Sequence, residues 1–277
     1  MKMRMGVLWA GILALGLAAP AQGALQGRLP ATAGGTDYQA YYDTVLDVTW
    51  TADANLAESN TFGLATGVSL GIHPSDNSPT PVNGQINASG TMNWPGALFW
   101  IDAMNAAGGT GYLGVNDWRL PAVAPVNGTA FNYAISYKGT TDRGYNVSAP
   151  TTTYAGSTAS EMAYMYYNTL GNLGYTTPDS VYPSYTVQAG WGLANTGPFA
   201  NLQSYNYWSG TEYGPNPNGA WDFNFNLGYQ LAGHEGNGYY AWAVRPGDVA
   251  VPEPASLALV GTTLGGLLGV GWRRRRR

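Results

Sequence analysis

The sequence predicts a single α+β domain between two terminal segments of different character. Two segments with helical spacing of apolar residues lie between two strand-like regions, and the second of these regions alternates aromatic and polar residues. Aromatic residues make up 13% of the 277-residue chain and charged residues only 10%, so the chain has ample ring surface to bury in a core. Cysteine is absent, which excludes disulfides, thiolate metal sites and a cysteine nucleophile.

The predicted strands lie near both ends of this domain. Residues 38–43 and 45–50 are rich in β-branched and aromatic side chains, which is typical of short strands. Residues 205–211 and 239–245 have the same character. Between them, residues 221–227 alternate apolar and polar side chains, which predicts one dry and one wet face. We expect the last three segments to form a three-stranded antiparallel meander.

Two helices are predicted between the strands. The first has Asn93 as its N-cap and Pro95 in its first turn, and it ends before Gly108. The second begins with a capping box that runs from Thr158 to Glu161, and it ends at the glycine that follows Leu170. Both helices carry apolar residues at helical spacing, which indicates that each buries one face.

The first 23 residues resemble a secretory signal peptide. Lys2 and Arg4 precede an apolar run that ends at Ala19, and small residues follow it. The run is too short for a comfortable membrane span, and the alternative is a buried N-terminal helix. We expect a signal helix at residues 1–23, export by the general secretion machinery and cleavage by signal peptidase.

The last 27 residues combine a proline-rich motif, an uncharged stretch and a basic cluster. In chain order they are Pro252, Glu253 and Pro254, then residues 255–272, then Arg273, Arg274, Arg275, Arg276 and Arg277. At about 1.5 Å per residue, a helix over the uncharged stretch is just long enough to cross a bilayer core. The basic cluster holds its end of that transmembrane helix in the cytoplasm.

This order of features resembles the PEP-CTERM sorting signal of Gram-negative bacteria. The resemblance covers residues 251–277 and implies recognition by an exosortase at the inner membrane, where the tail resides transiently before it is removed. The processed protein is then expected at the cell surface or outside the cell. The alternative is a plain C-terminal membrane anchor.

The residues between the two ends are acidic. Seven of the twelve Lys and Arg residues lie in the ends, whereas Glu253 is the only one of the sixteen Asp and Glu residues that does. The middle therefore has a net charge of about −10. This balance argues against nucleic acid or anionic lipid as a partner, because few cations are available to neutralise phosphates.

Three sequence blocks resemble the Lcl C-terminal domain, a bacterial extracytoplasmic module. They are Asp117-Trp118-Arg119-Leu120-Pro121, Tyr207-Trp208-Ser209-Gly210-Thr211-Glu212 and Ala241-Trp242-Ala243-Val244-Arg245-Pro246-Gly247. Domains of this family are similar in fold to the C-type lectin-like domain of formylglycine-generating enzymes. The resemblance therefore implies a C-type lectin-like fold for residues 24–250. Those enzymes need cysteine for their chemistry, so the resemblance does not carry their activity to this chain.

The charged and aromatic residues of these blocks are predicted to be structural. We expect Arg119 and Arg245 to pair with carboxylates, for which the candidates are Asp117, Glu212 and Asp222. The alternative is that the two arginines bind a ligand. The tryptophans are expected to be core rings whose indole nitrogens each need an acceptor, namely Trp118, Trp208, Trp221 and Trp242.

Candidate catalytic and metal-binding residues are few. His73 and His234 are the only histidines, and neither lies near a serine nucleophile motif or in a zinc spacing. Calcium has more oxygen ligands to choose from, and the acidic cluster of Asp43, Asp47, Asp53 and Asn55 is a candidate site. Its spacing fits no EF-hand loop, and the same residues serve equally well in turns.

Tyrosines in loop-like sequence are the candidates for contact with sugars. They are Tyr145, Tyr154, Tyr175, Tyr182, Tyr185 and Tyr213, and three of them, Tyr175, Tyr182 and Tyr185, lie in the second of the two predicted long loops, 61–92 and 172–204. Flat rings stack on sugar faces. The alternative is that these rings anchor the loops to the body of the domain.

Two functions from different classes follow. The first is a non-enzymatic surface or matrix protein whose lectin-like domain binds an extracellular polysaccharide and needs no cofactor except a candidate calcium ion. The second is a hydrolase that acts on exopolysaccharide through paired carboxylates such as Glu212 and Asp222.

Overall fold

The computed structural model describes residues 24–249, which form a mixed α+β fold dominated by two sheets. The predicted signal peptide and the predicted sorting tail lie outside the described residues. Within residues 24–249, no helix is both long enough and apolar enough to cross a membrane.

A four-stranded antiparallel sheet joins the beginning of the domain to its end. Its strands, in spatial order, are β1 (Leu25–Pro30), β2 (Tyr38–Asp43), β3 (Val48–Thr51) and β9 (Val244–Pro246). Strands β2 and β3 confirm the two predicted N-terminal strands. Strand β1 was not predicted, because its Gln-Gly-Arg centre lacks the alternation that indicates a strand.

A five-stranded sheet forms the centre of the fold. Its strands are β4 (Ile135–Ser136), β5 (Arg143–Tyr145), β6 (Asn206–Glu212), β7 (Gly219–Asn224) and β8 (Tyr229–His234). The spatial order is β4-β5-β8-β7-β6, and all neighbours are antiparallel except β4 and β5. Strand β7 therefore lies in the interior of this sheet.

The predicted three-stranded meander is present, but the prediction assigned its third strand to the wrong residues. Strand β8 follows β7 through a tight turn in which Gly228 has a φ of +65°, a value that favours glycine. The predicted third strand, residues 239–245, instead crosses between the two sheets. Tyr240 forms a bridge with Tyr207 of β6, and Val244 pairs with Trp50 of β3.

The predicted wet face of β7 was also wrong. Asp222 is fully buried, as are Trp221 and Phe223 on the other face. The sheet lies between two hydrophobic clusters: Phe223 belongs to the first and Ala220 to the second. Alternation in the sequence marks two faces, but it does not show that a second cluster covers the polar one.

Within residues 24–249, three α-helices and two short 3₁₀ helices, Ala107–Gly109 and Tyr112–Gly114, accompany the sheets. The α-helices are α1 (Leu56–Ser59), α2 (Trp94–Ala106) and α3 (Glu161–Tyr164), and a π-helical turn, Met165–Thr169, continues α3. Helix α2 confirms the first predicted helix, and the side chain of Asn93 accepts a hydrogen bond from the Gly96 N–H.

The second predicted helix begins later than its capping box indicated. The N-cap of α3 is Ser160, whose hydroxyl accepts from the Ala163 N–H, and not Thr158. Glu161 does not close the box, because its carboxylate binds Arg119 instead. The sequence signal placed the helix correctly and its first turn wrongly.

The two long connections differ in structure. Residues 60–93, between α1 and α2, contain no helix or strand. Residues 173–192 form a projecting hairpin held by antiparallel bridges between Leu173 and Gly192 and between Thr176 and Val187. We refer to this segment as the 173–192 hairpin.

Candidate functional site

The two arginines of the sequence blocks form ion pairs inside the domain. Arg245 binds Asp117 through two hydrogen bonds of 2.7 and 2.8 Å, and this contact holds the pKa of the Asp117 carboxyl below its usual value. Arg119 binds Glu161 through bonds of 2.8 and 2.6 Å. Glu161 was not among the predicted partners, so the assignment of Glu212 or Asp222 to these arginines is corrected.

The remaining block residues hold elements of the fold together. Arg119 and Val244 exchange backbone hydrogen bonds, and the carbonyl of Pro121 accepts from the Gly210 N–H. Leu120 is buried in the second hydrophobic cluster. These contacts connect the first block to strands of both sheets.

The four tryptophans are buried. Three indole nitrogens donate to backbone carbonyls: Trp118 to Tyr112, Trp208 to Met92, and Trp242 to Thr51. The indole N–H of Trp221 has no acceptor among the described residues. All four rings therefore contribute to the core of residues 24–249.

The carboxylates of the hydrolase alternative do not share an accessible site. Glu212 is half-buried and accepts a long hydrogen bond from Asn77. Asp222 is fully buried, and this burial raises its pKa to about 7. A fully enclosed side chain cannot contact a polymer, so the geometry does not favour Asp222 as a catalytic partner of Glu212.

The histidines have local partners. His73 is buried, its Nδ1 accepts from the Ser75 N–H, and its Nε2 lies 3.0 Å from Asp102. The ring therefore attaches the 60–93 connection to α2. The Nδ1 atom of His234 accepts from the Gly236 N–H.

The acidic cluster predicted for calcium is used in turns and sheet contacts. Asp43 accepts hydrogen bonds from two turn amides and from the Thr169 hydroxyl. Asp47 accepts from the Tyr42 hydroxyl, and Asp53 accepts from the Asn55 N–H. Within residues 24–249, no three His, Cys, Asp or Glu side chains come together as metal ligands.

Four of the six candidate tyrosines lie together on one surface. They meet two further tyrosines and a tryptophan to form the tyrosine patch, which consists of Tyr137, Tyr145, Tyr175, Tyr182, Tyr185, Trp191 and Tyr229. The other two candidates lie elsewhere. Tyr154 packs on the first hydrophobic cluster, and Tyr213 packs on Trp221 at 5.1 Å.

The rings of the tyrosine patch are in continuous contact. Tyr137 lies 5.3 Å from both Tyr145 and Tyr182, measured between ring centroids. Tyr175 lies 5.6 Å from Tyr185 and 4.8 Å from Trp191. These are edge-to-face or tilted arrangements, which aromatic rings favour. The patch therefore has a defined shape although its residues come from distant parts of the sequence.

A buried asparagine supports the patch from below. Asn146 is 1% exposed, and its amide donates to the carbonyl oxygens of Tyr137 at 2.7 Å and Thr176 at 2.9 Å. Its backbone N–H donates to the hydroxyl of Tyr167, which in turn donates to the Gly228 carbonyl. This network fixes the loop of Tyr137 against the 173–192 hairpin.

The outer edge of the patch is open to solvent. Tyr182 and Tyr185 are 52% and 51% exposed. Most of the exposed large apolar side chains of residues 24–249 lie in the 173–192 hairpin, including Val181 and Val187. Concentrated exposed apolar surface marks interaction sites.

A cavity of about 290 Å³ opens beside the patch. It is lined by backbone and side chains of the β4–β5 loop and the tip of the hairpin, namely Ile135, Ser136, Tyr137, Lys138, Thr140, Thr141, Ser180, Val181 and Tyr182. Aromatic rings, hydroxyls and one ammonium group thus meet at a single opening.

Four tyrosines of the patch, Tyr137, Tyr145, Tyr175 and Tyr229, have a pKa above the usual value of tyrosine. Burial raises the pKa of Tyr145 to about 12 and raises that of Tyr229 as well. A hydrogen bond with Tyr185 raises the pKa of Tyr175. These four phenol groups therefore keep the protons they need to act as hydrogen-bond donors.

Comparison with protein families decides the identity of the domain. The model of the Lcl C-terminal domain matches residues 39–245, well over half of the 277 residues. The chain belongs to the Lcl C-terminal domain family. Both sheets, helix α2 and the tyrosine patch lie almost wholly within the matched part of this Lcl C-terminal domain.

A second model, of the PEP-CTERM protein-sorting motif, matches residues 250–276. The Lcl C-terminal domain is therefore exported, and the protein is located at the cell surface or outside the cell after exosortase processes its C-terminal segment. Neither the curated proteins nor the solved structures give a significant match to the chain. The similarity of this Lcl C-terminal domain to the C-type lectin-like fold stays a prediction.

Proposed function

We propose that this exported protein binds extracellular polysaccharide without catalysis, and that the tyrosine patch is the binding surface. One observation carries the proposal. Aromatic side chains that lie far apart in the sequence converge on one exposed surface beside a cavity lined with hydroxyl groups.

The chemistry of the patch suits a sugar. Tyr182 and Tyr185 present exposed rings on which the apolar faces of a sugar can stack, and phenol hydroxyls of the patch can donate hydrogen bonds to its oxygens. Ser136 and Thr140 add hydroxyls at the cavity, and Lys138 adds a positive charge suited to a sugar carboxylate. Rigid aromatic side chains lose little conformational entropy on binding, which favours them at recognition surfaces.

The exposure of the patch also fits the location of the protein. Loops held on a rigid scaffold commonly carry binding residues, and the 173–192 hairpin is such a segment. Its rings rest on strands β5 and β8 through the contact between Tyr145 and Tyr229, whose ring centroids are 4.4 Å apart. An extended polymer can lie across this surface without entering the core.

The test is a binding screen of the secreted, processed protein against neutral and carboxylated bacterial exopolysaccharides, with turnover followed by release of reducing ends. We expect binding without release of sugar. The double substitution Tyr182→Ala and Tyr185→Ala should weaken binding at least tenfold. Tyr205→Ala is the matched control, because Tyr205 is 48% exposed and lies outside the patch.

Two results would contradict the proposal. Undiminished binding by the double variant would show that the patch is not the surface. Release of sugar that is lost on substitution of Glu212→Gln would support the hydrolase alternative instead.

A further inference from the structure

Two carboxylates away from the tyrosine patch contain three buried oxygen atoms without a hydrogen-bond partner among the described residues. They are Oε1 and Oε2 of Glu235 and Oδ2 of Asp76. Glu235 is 1% exposed. Ser78 favours the charged form of Glu235, but its hydroxyl already donates to Asn218. A buried carboxylate with so little stabilisation and no cation is strongly unfavourable, so these atoms require an explanation.

The fold brings the two residues together from distant segments. Glu235 follows β8, and its backbone N–H donates to the carbonyl of Asn218. Asp76 lies in the 60–93 connection, and its Oδ1 accepts from the Ser78 N–H. The Ser78 hydroxyl donates to the side-chain oxygen of Asn218, which also accepts from Thr80. Asn218 therefore links the connection to the end of the sheet.

The electrostatics of the pair are repulsive. Burial and the negative charges of Asp76 and Glu212 together raise the pKa of Glu235 to about 7, against the lowering effect of a hydrogen bond with Ser78. The ion pairs within residues 24–249 engage other acids, namely Asp117, Glu161, Asp248 and, with His73, Asp102. The pair thus has negative charge without a cationic side chain to balance it.

We propose that Asp76 and Glu235 bind a calcium ion. The carboxylates supply up to three of the six to eight oxygen ligands that Ca²⁺ takes, and water completes the shell. The Ser78 hydroxyl, which acts on the charge of Glu235, can add a further oxygen ligand. Because only two charged ligands contribute, the affinity belongs to the weak range of extracellular modules, with a Kd on the order of 10⁻⁴–10⁻³ M.

The ion has a structural consequence that goes beyond polysaccharide binding. It connects the 60–93 connection, which lacks helices and strands, to the end of the β7–β8 hairpin. This site is separate from the acidic cluster of Asp43, Asp47, Asp53 and Asn55, whose carboxylates already accept hydrogen bonds. Because Ca²⁺ would bind the folded state and not the unfolded state, its binding must raise the stability of the protein.

The experiment measures thermal unfolding of the secreted, processed protein at pH 7.5 after treatment with EDTA, with CaCl₂ or MgCl₂ then added at 10 mM. We expect calcium to raise Tm by about 3–7 °C and magnesium to have a much smaller effect. Calorimetric titration with CaCl₂ measures the binding directly.

Two substitutions at the site and one control make the test specific. Glu235→Gln should lose the calcium shift while its Tm in EDTA equals or exceeds that of the wild type, because it removes an uncompensated buried charge. Asp76→Asn should also lose the shift, and it stands in if the first variant does not fold. Asp47→Asn should keep the full shift.

Three outcomes overturn the proposal. They are the absence of a calcium shift in the wild type, a calcium shift that survives in both site variants, and an equal shift with magnesium. Loss of the shift in Asp47→Asn alone would place the ion at the other acidic cluster.

Discussion

The side-chain amide of Asn146 donates a 2.7 Å hydrogen bond to the carbonyl oxygen of Tyr137. The same amide also binds the carbonyl of Thr176, so one buried side chain connects two segments that carry rings of the tyrosine patch. Asn146 has a φ of +61°, in the left-handed region that asparagine tolerates better than most residues. A Cβ atom at Gly139 would overlap the Asn146 carbonyl, which shows how closely the backbone packs here.

Substitution of Asn146→Ala should destabilise the domain by about 2–4 kcal/mol. The change removes the donor to a buried carbonyl, that of Thr176, and to a partly buried one, that of Tyr137, and it places alanine at a positive φ. Asn146→Gly loses the same hydrogen bonds but tolerates the backbone conformation, so it should be about 1 kcal/mol less destabilising. Urea unfolding of both variants measures the difference. If Asn146→Ala lowers the free energy of unfolding by less than about 0.5 kcal/mol, the range of neutral surface changes, Asn146 does not hold the two segments together.

The ion pair between Arg119 and Glu161 should contribute more stability than the pair between Arg28 and Asp248. Glu161 also accepts a hydrogen bond from the Ala122 N–H at 2.7 Å, and its side chain is 11% exposed against 40% for Asp248. We expect Glu161→Ala to cost about 2–3 kcal/mol and Asp248→Ala less than about 1 kcal/mol. Equal losses in chemical denaturation would show that burial does not distinguish the two pairs.

The domain should become less stable as the pH rises from about 5 to 8. Asp222 has a folded pKa of about 7 against a reference of 3.8, so the folded state holds a proton that the unfolded state has released. Stability from this group is complete below the unfolded pKa and is lost as the pH rises through the folded pKa. The expected loss is on the order of 2 kcal/mol, measured by urea unfolding in EDTA across this range.

The control for this pH dependence is Asp222→Asn, which keeps the size of the side chain and an oxygen to accept from Asn206. The variant should show a shallower slope. Glu235, whose pKa is raised in the same direction, should account for the remainder, so adding Glu235→Gln should flatten the profile further. Hydrogen bonds from Arg245 and Arg28 lower the pKa of Asp117 and Asp248. These two carboxylates therefore lower the stability of the domain as the pH falls, which is the opposite of the effect of Asp222. An unchanged slope in the double variant would disprove the assignment.

Features set by neighbouring residues could be predicted from the sequence. Helix α2 has its cap at Asn93 and its apolar spacing within one short window, and both were correct. Strand β8 lacks a strong alternation, and its start depends on the turn at Gly228, so the third strand of the meander was assigned to residues 239–245 instead. Ser160 displaced Thr158 as the cap because Glu161 is needed by Arg119.

The candidate sites depend on contacts between distant residues, which one sequence does not encode in a readable form. The sequence marked Tyr175 and Tyr182 as loop tyrosines, but their meeting with Tyr137 and Tyr229 depends on how the 173–192 hairpin folds back on the sheet. Tyr137 itself lies between polar residues, and nothing in its sequence context indicated a binding surface. Asp76 and Glu235 were not predicted as a site for the same reason, because the burial of their carboxylate oxygens and the scarcity of donors around them are visible only in the structure.

The C-terminal segment should be absent from the processed protein. The match to the PEP-CTERM motif predicts that a host with an exosortase cleaves near Pro252, so mass spectrometry of secreted protein should find no peptide that ends in Arg273–Arg277. In a host without exosortase the basic end should remain and the protein should stay with the inner membrane, because an arginine cluster resists translocation. Replacing Pro252, Glu253 and Pro254 with alanine should give the same retained form in the competent host. Recovery of the arginine-terminated peptide from mature surface protein would instead favour a plain membrane anchor, and the tyrosine patch would then act close to the membrane rather than in the matrix.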